Sequence, residues 1–112
     1  MTNYLYLFII SMSELNLFFP TPVWASKIDD YSTLNLKLLS YINKLKANDE
    51  EGVLRSNING WHSKDFNLSE DVPKFFIQSI SNKLQTAIQN MNWDLNKQTV
   101  KITNMWAIVN TG

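Results

Sequence analysis

Cysteine is missing altogether, and histidine and arginine each occur once, as His62 and Arg55. Without cysteine there are no disulfides, no thiolate metal ligands and no thiol nucleophile. A reducing compartment fits that composition, and the expected location is cytoplasmic. A single histidine also limits metal chemistry. A zinc hydrolase normally draws about three protein ligands, more than one of them histidine when cysteine is absent. A non-haem iron centre takes two histidines and a carboxylate. Neither set can be assembled from this chain, so no metal ligands and no catalytic residues are assigned within it.

Charge of one sign is not in excess. Lys+Arg and Asp+Glu stand at 10 each, and the basic residues are scattered along the chain. A phosphate backbone asks for a concentrated positive footprint, so nucleic acid is not an expected partner. The three glycines are isolated, and no loop of the phosphate-cradling kind is present. Magnesium held through Asp and Glu is conceivable, but no aspartate-rich loop supports it.

Long hydrophobic runs are absent too. Tyr4 to Ile10 is apolar but far shorter than the roughly 20 residues that span a bilayer. The first basic residue is Lys27, which does not suit a secretory leader. A membrane is therefore not an expected partner. Residues 1–11 read as an N-terminal extension: the plainer reading is an added strand or a disordered leader, and the sharper one puts the natural start at Met12.

What remains suits a small globular unit. The hydrophobic fraction is 45% and the charged fraction 18%, values of folded rather than disordered chains. A chain of this size buries roughly 65% of its unfolded surface, enough for one core.

Four elements follow from the pattern. Phe18 to Trp24 is extended, because Pro20 and Pro22 keep their predecessors out of the helical region, and Val23 to Ile28 is expected as an edge strand. Leu34, Leu38, Ile42 and Leu45 recur at helical spacing, widened by Leu39 and Tyr41, which predicts a helix over Tyr31–Ala47. Residues 53–72 show no period and are expected to form a long loop. Phe76, Ile77, Ile80, Leu84, Ala87, Ile88 and Met91 form a second stripe, predicting a helix from about Pro73 to Met91.

Beyond a turn at Trp93–Gln98, residues 99–110 alternate with period two. Val100, Ile102, Asn104, Trp106, Ile108 and Asn110 share one face, read as the core face with Trp106 inside it. Met105, Ala107 and Val109 make the other face apolar as well. A strand apolar on both sides wants cover on both faces and partners on both edges. Ending so near Gly112, it leads us to expect an incomplete domain over residues 12–112. The fold class expected is α+β, two amphipathic helices with a few strands.

Four stretches together resemble a known family. They are Leu17-Phe18-Phe19-Pro20-Thr21-Pro22-Val23-Trp24, Arg55-Ser56-Asn57-Ile58-Asn59-Gly60-Trp61-His62-Ser63, Trp93-Asp94-Leu95 and Ile102-Thr103-Asn104-Met105-Trp106-Ala107. Their order and spacing are similar to the N-terminal half of a family of 2-oxoglutarate- and Fe(II)-dependent oxygenases of marine bacteria and cyanophages. The resemblance covers residues 14–112. It implies the N-terminal part of a double-stranded β-helix, or jelly roll, with the two helices outside it and the strand Val100–Asn110 as an early barrel strand. In that family the His-x-His/Asp pair, the distant His and the Arg for the cosubstrate carboxylate come later than these stretches. Fe(II) and 2-oxoglutarate are thus expected of the full-length family and not of this chain alone. The chain departs from the family where Ile108-Val109-Asn110 follows Ala107, since the family carries Asn at the first of those positions.

The resemblance and the residues together suggest few site candidates. Trp61, His62 and Ser63 are candidates for a substrate pocket, and Asn110 for contact with the cosubstrate. Each has a plainer reading. Trp61 suits a core ring, and His62 suits a residue pinning a loop by hydrogen bonds. Asn110 suits an inward polar group with structural partners. Ser56 and Ser63 have no base at recognisable spacing, so a hydrolase triad is not expected. The expected role is an oxygenase segment inactive in isolation, its partner the C-terminal half. The alternative is a small non-catalytic interaction module of phage or host that pairs its strand with a partner.

Overall fold

The computed structural model describes residues 16–55 and 59–111. The proposed extension, the Met12 start, Ser56, Asn57, Ile58 and Gly112 lie outside them. Two helices and two short antiparallel strands follow in the order α1 (Tyr31–Asn48), β1 (Gly60–His62), α2 (Asp71–Asn90) and β2 (Ile108–Asn110). The α+β class is as expected. No helix among the described residues is long and apolar enough to cross a membrane.

Helix α1 begins at Asp30, which takes a left-handed conformation and whose carboxylate accepts from the Thr33 hydroxyl at 2.9 Å. It buries Leu34 and half-buries Leu38, Tyr41, Ile42 and Leu45, one stripe at helical spacing. Leu39 does not widen that stripe. It sits 59% exposed, because a position one residue past Leu38 is rotated about 100° around the helix.

Helix α2 starts two residues before Pro73, not at it. Pro73 occupies the third helical position and is fully buried. This costs no hydrogen bond, since the first-turn N–H groups have no intrahelical acceptor. The first helical bond runs from Lys74 N–H to the Glu70 carbonyl at 3.1 Å. Asn92 ends the helix in the left-handed region, where asparagine is tolerated. α1 and α2 pack together, with the Lys37 ammonium 5.3 Å from the Phe75 ring centre.

The strand expectations needed correction. Val23–Ile28 forms no strand, and among the described residues β1 and β2 pair only with each other. Residues 53–72 are not all loop, since they contain β1. Residues 99–110 form a ladder only over Ile108–Asn110. β1 and β2 pair as Gly60↔Asn110, Trp61↔Val109 and His62↔Ile108. Past His62 and before Ile108 the two segments are tied by single bonds. Ser63 N–H donates to the Ala107 carbonyl at 2.9 Å, and Phe66 N–H to the Met105 carbonyl at 2.7 Å.

The core face of this segment is opposite to the one expected. Ala107 is buried and Met105 and Val109 half-buried, whereas Asn104, Trp106, Ile108 and Asn110 are exposed. Trp106 is 49% exposed and is therefore not a core ring. The register decides this. Val109 lies opposite Trp61, and Trp61 with Phe66 and Ala107 forms the core on which Tyr41, Ile42, Leu45 and Leu68 pack. Alternation then turns the larger apolar residues of the even-numbered positions outward.

Candidate functional site

Asp49, Gly52, Val53 and the β1 residues Trp61 and His62 hold the region of chemical interest in place. Trp61 is 5% exposed, and its indole N–H donates to the Asp49 carbonyl at 2.7 Å. That bond satisfies the one polar atom of a ring otherwise buried for its apolar area. It fastens β1 to the C-terminus of α1. Gly52 passes directly over this contact with φ of 63°. A side chain there would collide with the His62 carbonyl oxygen and the Trp61 indole, so the close crossing requires glycine. Val53 N–H then donates to the His62 carbonyl at 2.8 Å, and Lys64 pairs with Asp49 at 3.3 Å.

Ser63 is nearly as buried as any residue, at 2% exposure. Its hydroxyl donates to the Lys64 carbonyl at 2.7 Å and accepts from Ala107 N–H at 2.9 Å. Both bonds are internal, so the side chain works as a latch between the two strand segments. Its hydroxyl bonds to backbone at both contacts, and the nearby His62 Nδ1 meets the Ser63 carbonyl rather than the hydroxyl. Trp61 is likewise core. Of the three neighbouring candidates only His62 borders open space.

His62 is 9% exposed and sits on β1 rather than in a loop. Its Nδ1 lies 2.7 Å from the Ser63 carbonyl oxygen. That oxygen can only accept, so Nδ1 carries the proton and Nε2 is the remaining polar atom of the ring. The Trp106 ring stacks nearly parallel to it, at 6.0 Å between centres and 12° between planes.

Around this pair lies a cleft of about 170 Å³ bounded by Arg55, His62, Asp65, Asn104 and Trp106. Sequence reasoning marked His62 and noted Asn104 as a polar residue on a strand, but did not bring Arg55 and Asp65 to the same place. Arg55 and Asp65 lie 7 and 3 positions from His62 but 51 and 41 from Trp106 along the chain, and only the β1–β2 register gathers them. Beside this cleft is a larger apolar groove of about 480 Å³, lined among others by Leu38, Ile42, Phe66, Phe76, Trp106 and Ile108. Asn110 lies apart from both, exposed and opposite Gly60.

Tyr41 has a strongly displaced ionisation. Burial raises its phenol well above the usual range, and the hydrogen-bonded Glu70 carboxylate adds to the effect. Its ring meets Phe66 edge-on at 5.2 Å. The Phe66 contact ties α1 to the segment after β1, and the Glu70 bond ties it to the residue just before α2.

Among the described residues no group of three or more His, Cys, Asp or Glu side chains is placed to hold a metal ion. With one histidine in the sequence, these residues do not fit a two-histidine, one-carboxylate iron centre by themselves. Comparisons with protein-family models, with curated proteins and with solved structures found no match to this chain.

Proposed function

We propose that the chain is the N-terminal segment of a 2-oxoglutarate- and Fe(II)-dependent oxygenase of the hydroxylase type. In that reading it contributes outer helices, an early strand of a jelly roll and one wall of a substrate pocket. The metal and its ligands belong to later sequence. The order and spacing of the four stretches described above support the reading. The observation that carries it is the outer side of β2. Trp106 and Ile108 stand half exposed beside the His62 cleft, and among the described residues β2 pairs with β1 alone. A two-stranded sheet is marginal in water, and a strand apolar on both faces is stable only under further cover.

Two tests bear on it. The DNA beyond the codon for Gly112 is expected to encode, in some frame, a His-x-Asp or His-x-His pair with a later His and Arg. A stop with no such residues in any frame would sink the proposal. The purified 112-residue chain is expected to form no succinate from 2-oxoglutarate above a metal-only control, and turnover by it would count equally against the reading.

The open edge of β2 also favours a second reading, a small non-catalytic α+β interaction module that takes up a partner's strand. Cooperative unfolding of a soluble isolated chain is the outcome for a module. Loss of near-UV circular dichroism with strong dye binding is the outcome for a segment cut from a larger core.

A further inference from the structure

We propose that residues 17–24 are a docking arm that seats in the apolar groove of a second copy of this chain, so that two copies exchange arms. The argument begins with the arm. Leu17, Phe18, Phe19 and Val23 are 73%, 81%, 98% and 84% exposed, and the segment forms neither helix nor strand. A single exposed apolar residue is ordinary, but these four with Trp24 fall within eight positions, and such a cluster marks an interaction surface. No charged residue lies between Leu17 and Ser26. Pro20 and Pro22 fix their own φ and restrict the residues before them, so the arm has little conformational freedom to lose on docking.

The groove is its complement. Leu38 and Ile42 of α1, Phe76 of α2, and Trp106 and Ile108 line a volume of about 480 Å³. Among the described residues its lining holds no charged side chain, and Asn104 is its one polar side chain. The volume falls in the range of roughly 300–1,000 Å³ that takes a ligand of several rings. Trp106 and Phe76 offer aromatic surface, and aromatic-lined grooves are a recurring seat for proline-containing segments. None of residues 17–24 lines the groove, so a chain does not cover its own groove with its own arm.

Charge and area favour a second copy as the occupant. Lys+Arg and Asp+Glu balance at 10 each, so two copies approach without net repulsion. An aromatic side chain hides about 150–250 Å² when buried, so Phe18, Phe19 and the exposed part of Trp24 bring about 400 Å² per arm. Two arms, with the half-exposed Trp106 and Ile108 of two grooves, reach about 1,200 Å², the lower end of specific interfaces. That area suits a dimer that dissociates in the micromolar range. Reciprocal exchange closes the pair with two-fold symmetry and leaves no arm to recruit a third copy. The inference needs neither iron nor 2-oxoglutarate. The association state of the chain decides it, whereas the DNA after Gly112 decides the oxygenase reading.

The test is sedimentation of the full chain from about 5 to about 500 µM. The mass should rise from one to two chains of 13.0 kDa and stop there. Phe18→Ser with Phe19→Ser on the arm, and Ile108→Asn in the groove, should each weaken association at least about tenfold. The Trp61 indole N–H, bonded to the Asp49 carbonyl, reports by NMR that each variant remains folded. With no native cysteine, Thr21→Cys takes a single nitroxide. Unlabelled chains carrying that nitroxide, mixed with ¹⁵N-labelled parent chains, should broaden the Trp106 indole N–H of the parent. A chain that stays monomeric, or one that grows past two copies, would overturn the proposal. So would association unchanged by the arm variant. Broadening of Trp106 only by a nitroxide on its own chain would seat the arm in its own groove and overturn it equally.

Discussion

The two faces of the segment from Asn104 to Asn110 differ sharply. On one, Met105, Ala107 and Val109 turn toward Trp61 and Phe66, and the backbone on that side is latched by Ser63. On the other, Trp106 and Ile108 are half exposed next to a polar cleft. The outer face carries the larger side chains, so side-chain size alone does not decide which face is buried. Cover decides it. Trp61, Phe66, Leu68 and the α1 residues Tyr41, Ile42 and Leu45 pack on the odd-numbered side, whereas the even-numbered side borders the cleft and the groove. A face of that kind is where recognition or further folding takes place.

The largest expected effect separates two tryptophans. Trp61→Ala removes a buried ring and its bond to Asp49, and should cost about 3–5 kcal/mol in denaturant unfolding. Trp106→Ala should cost about 1 kcal/mol, as for a half-exposed side chain. Similar costs for the two would break the contrast between the faces.

Ser63→Ala tests the latch. It leaves Ala107 N–H without its acceptor in a buried setting, with an expected loss of about 1–3 kcal/mol. Amide hydrogen exchange at Ala107 should accelerate with it. Unchanged exchange would mean that the segment is held by packing alone.

Tyr41→Phe is the smaller change. It removes the bond to Glu70 and should cost about 1 kcal/mol near neutral pH. The wild-type phenol is raised in the folded state, so its contribution is fully present below the ordinary phenol value of about 10 and is lost as pH climbs toward the folded value. The wild type should therefore lose stability above about pH 10 more steeply than the Phe variant. Parallel curves for the two proteins would show that Tyr41 is not the group responsible.

Several features were legible in the sequence for clear physical reasons. Leu34, Leu38, Ile42 and Leu45 repeat at 3.6-residue spacing, and Leu34 is indeed buried with the others partly so. The turn expected at Trp93–Gln98 is present, with Asn96 N–H bonded to the Asp94 carboxylate at 3.0 Å. β1 was not legible, since Gly60-Trp61-His62 is too short to show a period. The inward face of residues 104–110 was misread because alternation gives two faces and only the partner strand says which is inside. The cleft was half legible. His62 drew attention as the lone histidine, whereas Arg55 and Asp65 reach it through a register that no local pattern encodes. The resemblance to oxygenases bears on function through its motifs and contributed nothing to placing these side chains.

The most direct test of the contrast is a pair of substitutions at neighbouring positions, Val109→Asn and Ile108→Asn, compared by equilibrium unfolding. Val109→Asn puts an amide against Trp61 and should cost at least about 2 kcal/mol more than Ile108→Asn, from lost apolar burial and an unsatisfied polar group. Ile108→Asn should lie within about 0.5 kcal/mol of the parent. Equal costs, or a larger one at Ile108, would contradict the assignment of the inner and outer faces on which the cleft and the proposed function depend.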